Sequence, residues 1–287
     1  MKQITTYISE KLKLSKNTST TKYEYFPKTK DQLNMYIHNH ILEQGNEVDL
    51  NDIDVSEITD MHLLFSDKKD LKLIKVDKWD VSNVKDMSFM FHGCKNLDCD
   101  LSMWDVSNVT NMKYMFTNCK LFAGKGLKKW DVSNVTTMNS MFYGCSVFNE
   151  DIGDWNVSKV TDMNYLFGDC LEFNQNLSKW DVSKVTNMNK MFISCKEFNG
   201  DVTTWDISNV TEMDNMFSRC ENFNQDISKW KPVSVTSMEY FLYKAAKFNQ
   251  DLTEWNIDNK KVNVNFALKD TAIENKPDWY LNAHPHK

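Results

Sequence analysis

Asp151-Ile-Gly-Asp-Trp-Asn-Val-Ser-Lys-Val-Thr-Asp-Met-Asn-Tyr-Leu-Phe-Gly-Asp-Cys-Leu-Glu-Phe-Asn-Gln175 is one copy of a phrase that recurs, in variant form, from about residue 50 to the last thirty residues. Trp79, Trp104, Trp130, Trp155, Trp180, Trp205, Trp230 and Trp255 keep its beat, 25 residues apart with one step of 26. A fixed period of roughly 20 to 50 residues is the mark of a solenoid. No copy can bury its apolar face alone, and stacking the copies makes one continuous core.

Within this copy, Ile152, Trp155, Val157 and Val160 match the leucine-rich-repeat frame L-x-x-L-x-L-x-x-N. Alternation predicts a short strand with Trp155 and Val157 inward and Asn156 and Ser158 outward. Past Val160 the apolar spacing changes to three and four, through Met163, Leu166, Phe167 and Cys170, which predicts one face of a short helix. Thr110, Thr136, Thr161, Thr186, Thr211 and Thr236 are expected to cap these helices. Asp86, Asn111, Asp162, Asn187 and Glu212, one place later, suit the positive end of a helix dipole. Asn149, Asn174, Asn199, Asn224 and Asn249 fit a turn, each bonding nearby backbone. The fold class expected is an α/β solenoid: a right-handed leucine-rich-repeat coil with a parallel β-sheet on one face, short helices on the other and a helical N-terminal cap.

Residues 1–47 read as that cap. Ile4, Tyr7, Ile8 and Leu12 predict a short amphipathic helix. Thr29-Lys-Asp-Gln32 is a capping box opening a second helix through Leu33, Tyr36, Ile37 and Ile41, closed by Gly45. About nine rungs are expected over residues 48–269. The first has Ile53 in the Trp place, the extra residue falls in the turn-rich stretch 123–127, and Pro232 interrupts the last full rung. Residues 270–287 read as a C-terminal cap carrying Ile273, Trp279, Tyr280 and Leu281, followed by a frayed tail, His284 to Lys287.

The phrases WDVSNVTNMKYMF (104–116) and FNQDISKW (223–230) resemble the BspA-like leucine-rich-repeat family, a type also seen in Mycoplasma lipoproteins. Many members are bacterial surface proteins that mediate adhesion or binding. The resemblance therefore implies a binding role, and it supplies no catalytic residues.

Composition narrows the classes. A net charge of −6 argues against a general nucleic-acid or anionic-membrane surface. No run of 18 apolar residues exists, so membrane insertion is not expected. The opening Met1-Lys-Gln-Ile-Thr-Thr-Tyr-Ile-Ser-Glu lacks an apolar stretch, and no lipobox-type Cys stands near it. A cytoplasmic or virion-associated location is expected on that ground, with the cell surface implied by the resemblance. Six of the seven Cys (Cys94, Cys119, Cys145, Cys170, Cys195, Cys220) occupy one column, where Ala245 takes the same place, which reads as small and buried. No cofactor or metal is expected: there is no EF-hand, no zinc spacing around Cys94 and Cys99, and His38-Asn-His40 lacks supporting carboxylates. No G-x-S-x-G, Walker loop or G-x-G-x-x-G occurs, so no enzymatic activity is expected.

The outward side of the predicted strand is the candidate site. Asp80, Asp105, Asp131, Asp181 and Asp206 form one column, with Lys78, Lys129, Lys179 and Lys229 two places before it and Ser82, Ser107, Ser133, Ser158, Ser183 and Ser208 beyond. Stacked like charges repel unless compensated; the Lys column, or hydrogen bonds to Ser and backbone amides, would do so. Either this is a polar groove for a protein or carbohydrate partner, or it is a self-satisfied ladder that solvates the sheet. Two functions stay open: a non-enzymatic binding module, and a structural or assembly protein of a phage particle or cell envelope that oligomerises through its ends or edges.

Overall fold

The computed structural model describes residues 22–283. Successive copies lie side by side, parallel and in register. One column of bridges runs Asp60, Asp86, Asn111, Thr137, Asp162, Asn187, Glu212, Ser237 and Asn263, each residue pairing with the next. Regular elements are few. Helix α1 spans Lys30–Gln44. Strand β1 (Glu47–Asp49) pairs in parallel with β2 (Leu73–Lys75), placing Val48 opposite Ile74. A 3-10 turn covers Leu127–Lys129, and a short helix α2 covers Asp278–Leu281.

Local chemistry explains α1. Thr29 Oγ1 accepts the Gln32 amide at 3.3 Å, and Gln32 Oε1 accepts the Lys28 amide at 2.7 Å, so two donors left over at the helix start find partners. Gly45, at φ 76°, turns the chain out while its N–H still reaches Ile41 O. Leu33 and Ile37 of α1 are buried in the common core, which covers the first copy on that side. The helix expected from Ile4 to Leu12 and the tail from His284 lie outside the described residues.

Inside the copies the structure departs from the expected strand and helix. The stretch after each Val is a run of turns, with no α-helix there among the described residues. Leu166 N–H bonds Met163 O and Cys170 N–H bonds Phe167 O, each closing a four-residue turn. The third residues of these turns, Tyr165 (φ 55°) and Asp169 (φ 57°), are left-handed, as in type II turns. The amides between them point sideways: those of Met163, Tyr165, Phe167 and Asp169 donate to the carbonyls of Asn187, Asn189, Met191 and Ile193 in the next copy. A helix would send them to i−4; here alternate amides go to the neighbouring copy, and the three-and-four apolar spacing survives because turns produce it as well.

The consequences reach individual residues. Thr161 caps no helix: its amide donates to Thr136 O at 3.1 Å, and Thr186 repeats the contact on Thr161 O at 2.9 Å. Asp162 meets no helix dipole; it sits in the bridge column, and its Oδ1 accepts the Asn164 amide at 3.0 Å. Asn174 bonds the next copy rather than its own turn, with Oδ1 accepting the Asn199 amide at 2.8 Å. The Trp-x-Val stretch forms no ladder with its neighbours, because Trp155 and Val160 N–H turn back locally onto Ile152 O and Val157 O.

Columns of identical side chains fill the interior. The Trp rings are buried and stacked, with centroids 6.4 Å apart for Trp104 and Trp130 and 6.5 Å for Trp180 and Trp205. Trp279 of α2 extends the column, 6.4 Å from Trp255, so the C-terminal segment covers the last Trp. A second column of Phe, from Phe65 to Phe217, stacks beside it at 5.3–5.8 Å, and a third joins from Phe148 to Phe248. All seven Cys are buried and free. In the shared column each thiol donates to a Phe carbonyl of the preceding copy, as Cys170 does to Phe142 O at 3.0 Å.

Candidate functional site

The Asp column is exposed, and its carboxylates are already engaged by their own turns. Asp131 Oδ1 accepts the Ser133 amide at 3.0 Å, and Asp80, Asp105, Asp181 and Asp206 repeat the contact with Ser82, Ser107, Ser183 and Ser208 at 3.0–3.1 Å. Asn156 does the same for Ser158 at 3.2 Å. The hydroxyl and then the amide of the following Ser hold Asp131, Asp181 and Asp206 below the usual carboxylate range. Beyond them, Asn108 and Asn134 donate through Nδ2 to the Ser82 and Ser107 carbonyls at 2.8 Å, tying copy to copy.

The Lys column does not neutralise the Asp column. Lys179 Nζ pairs instead with Asp154, its counterpart in the preceding copy, at 2.6 Å. Lys78 is engaged through its amide, which donates to Asn51 Oδ1 at 2.9 Å. Among the described residues, neither Lys129 nor Lys229 forms an ion pair with an Asp of that column. Hydrogen bonding within each turn carries the compensation, and the arrangement repeats from the Trp79 copy to the Trp205 copy, after which Lys231 and Val233 interrupt it.

The turn stretch offers a less regular surface. Its third residue is half-buried where it is Phe89, Tyr114, Tyr165, Lys190, Asn215, Tyr240 or Phe266 and buried where it is Ser140, and all eight, in successive copies, are left-handed at φ 54–57°. Gly or Asn suits that place; a ring costs strain there. The rings gather on one another, Phe89 on Tyr114 at 4.6 Å and Tyr240 on Phe266 at 5.1 Å. Cations join them: Lys190 Nζ lies 4.8 Å from the Tyr165 centroid and donates to its hydroxyl at 2.6 Å, and Lys244 Nζ lies 5.1 Å from the Tyr243 ring. Half-buried rings with polar tips are the side chains that dominate recognition surfaces.

Sequence reasoning passed over this face because its residues were assigned to a helix exterior. Its signal was visible: outward positions in the turn stretch change between ring, cation and small polar residue, whereas from residue 80 to 208 the Asp column holds only Asp or Asn and the Ser column only Ser.

Three overlapping stretches, residues 33–126, 121–204 and 178–279, match the model of a family described as Mycoplasma protein of unknown function, DUF285. The chain belongs to this family. It is a repeat protein, and the matched stretches begin within α1 and end within α2. No curated protein and no solved structure matches it.

Proposed function

We propose that the chain is a non-enzymatic binding module, a BspA-like solenoid of leucine-rich-repeat type whose helices are replaced by stacked turns, recognising a protein or carbohydrate. The aromatic column on the turn face carries the reading. A side chain that strains its backbone persists where something else requires it, and six of the eight strained positions, Phe89, Tyr114, Tyr165, Lys190, Tyr240 and Phe266, hold a ring or a lysine rather than the Gly or Asn the turn favours. The Asp and Ser columns serve as structure in this reading, because each carboxylate is consumed by its own turn. Adhesion at a cell surface is the role that suits such a face. Growth by end-to-end assembly is less favoured, since Trp279 already covers Trp255 at the C-terminal end.

The test is binding of the purified protein to arrays of immobilised cell-surface proteins and glycans. A hit should weaken about tenfold or more in a Tyr114→Ala, Tyr240→Ala double variant, as expected for ring anchors, and survive in Asp131→Asn, Asp181→Asn. Binding that depends on the Asp residues and ignores the rings would overturn the assignment of the face.

A further inference from the structure

We propose that the turn face carries an oxyanion-binding site, taking a carboxylate or phosphate group in the concavity of about 650 Å³ between the copies that contain Ser194, Arg219 and Lys244. The three residues occupy the same place in three successive copies, the third position of the second turn, with φ of 60°, 62° and 60°. The other copies fill that place with Asp67, Gly93, Asn118, Gly144, Asp169 and Asp270, the residue types that tolerate a left-handed turn position. Two long cations side by side there carry a double cost, backbone strain and mutual repulsion.

No ion pair among the described residues removes that repulsion. Glu221 lines the concavity but is paired with Lys196 at 3.5 Å. Among the described residues neither Arg219 nor Lys244 has an ion pair; Lys244 Nζ lies over the Tyr243 ring. Asp270 is the remaining carboxylate of the lining. Arg219 is the sole arginine of the chain, all other strong cations being lysine. A guanidinium fork grips carboxylate or phosphate with two parallel bonds, which an ammonium cannot do. Arg219 would make the bidentate contact, Lys244 would add a point charge and Ser194 a hydroxyl donor. The inference goes beyond the binding reading and stands on this geometry alone.

Because Arg219 is the sole arginine, its side-chain Nε–H gives one resonance that reports the site. The ¹⁵N-labelled protein is titrated with sodium phosphate, with sodium glucuronate, and with sodium chloride at matched ionic strength. A saturable shift with phosphate or glucuronate, and none with chloride, is expected; which anion saturates first tells a phosphate ligand from an acidic sugar. In Lys244→Gln the half-saturation concentration should rise about tenfold or more, the scale for losing a charged hydrogen bond. In Arg219→Gln the amides that shift with anion in the unaltered protein should fall silent while the rest of the spectrum is unchanged. Shifts that follow ionic strength alone, or an affinity indifferent to Lys244→Gln, would overturn the site.

Discussion

The indole Nε1–H of Trp180 donates to the carbonyl oxygen of Ile152 at 3.1 Å, and that same oxygen accepts the amide of Trp155 at 3.1 Å. One carbonyl thus closes the turn of its own copy and holds the ring of the next. The contact repeats from Trp79 on Leu50 O to Trp279 on Leu252 O. Stacking of the copies is therefore specified by directional bonds within the apolar core, not by burial alone.

It follows that Trp180→Ala should cost about 3–5 kcal/mol, the range for truncating a buried large aromatic ring. Trp180→Phe should cost less, since Ile152 O keeps its backbone partner and only a net bond of about 1 kcal/mol is lost beside the missing ring volume. Chemical denaturation of the two variants measures both. Equal losses would mean that the indole N–H does nothing specific.

The Asp column behaves differently. Asp181→Asn should change stability by under about 0.5 kcal/mol, because an Asn oxygen serves the same turn, as Asn156 already does in the preceding copy. Asp181→Ala removes the acceptor and should cost about 1 kcal/mol. Denaturation midpoints at neutral pH decide it, and a large penalty for Asn would show that the charge itself matters.

Alkali should unfold the protein. Burial pushes every described thiol up, Cys94 to about 12 and Cys119, Cys170 and Cys195 well above their ordinary value. A raised thiol pKa in the folded chain contributes stability that is whole below the unfolded value, about 8.5, and is lost as pH rises toward the folded one. Each buried thiol then costs about 1.4 kcal/mol per pH unit. Melting temperature should fall from about pH 8.5 upward, and fall less in Cys145→Ala, Cys170→Ala, Cys195→Ala, because Ala245 shows that Ala fits the column. A melting temperature flat to about pH 10 would contradict the burial of the thiols.

Arg219→Asn should stabilise the chain by about 0.5–1 kcal/mol, since it gives a left-handed turn position a residue type it favours and removes a repelling charge. Thermal melts of the variant check this; a loss of stability would place Arg219 in a structural role.

Much of the architecture was legible in the residues themselves. The Trp, Met, Phe and Cys columns recur at one period and are all buried, and Thr29, Gln32 and Gly45 act at the ends of α1 as their types suggest. Turn and helix were not separable by apolar spacing, because Met163, Leu166, Phe167 and Cys170 fall inward in either. The distinguishing mark was the left-handed column, where Gly93 and Gly144 would stand inside the last turn of the expected helices, just before the Cys, where glycine weakens a helix. The Asp-x-Ser step likewise carried the chemistry of a local turn, but spacing alone left a groove and a self-satisfied ladder both open, because it does not show which donor each carboxylate meets. The variable turn face could not be found by averaging over copies, since its information lies in how the copies differ.

The most direct measurement is removal of residues 152–176, one whole period, compared with removal of residues 152–164, about half of one. If the copies stack in register through equivalent bonds, the first deletion brings Leu177 into the place of Ile152, so that Trp180 Nε1 can reach Leu127 O, and the shortened chain should unfold cooperatively with dispersed amide signals. The half-period deletion should leave an unfolded or aggregated chain, because it throws each buried column out of line. Equal disruption by both deletions, or equal tolerance of both, would contradict the account.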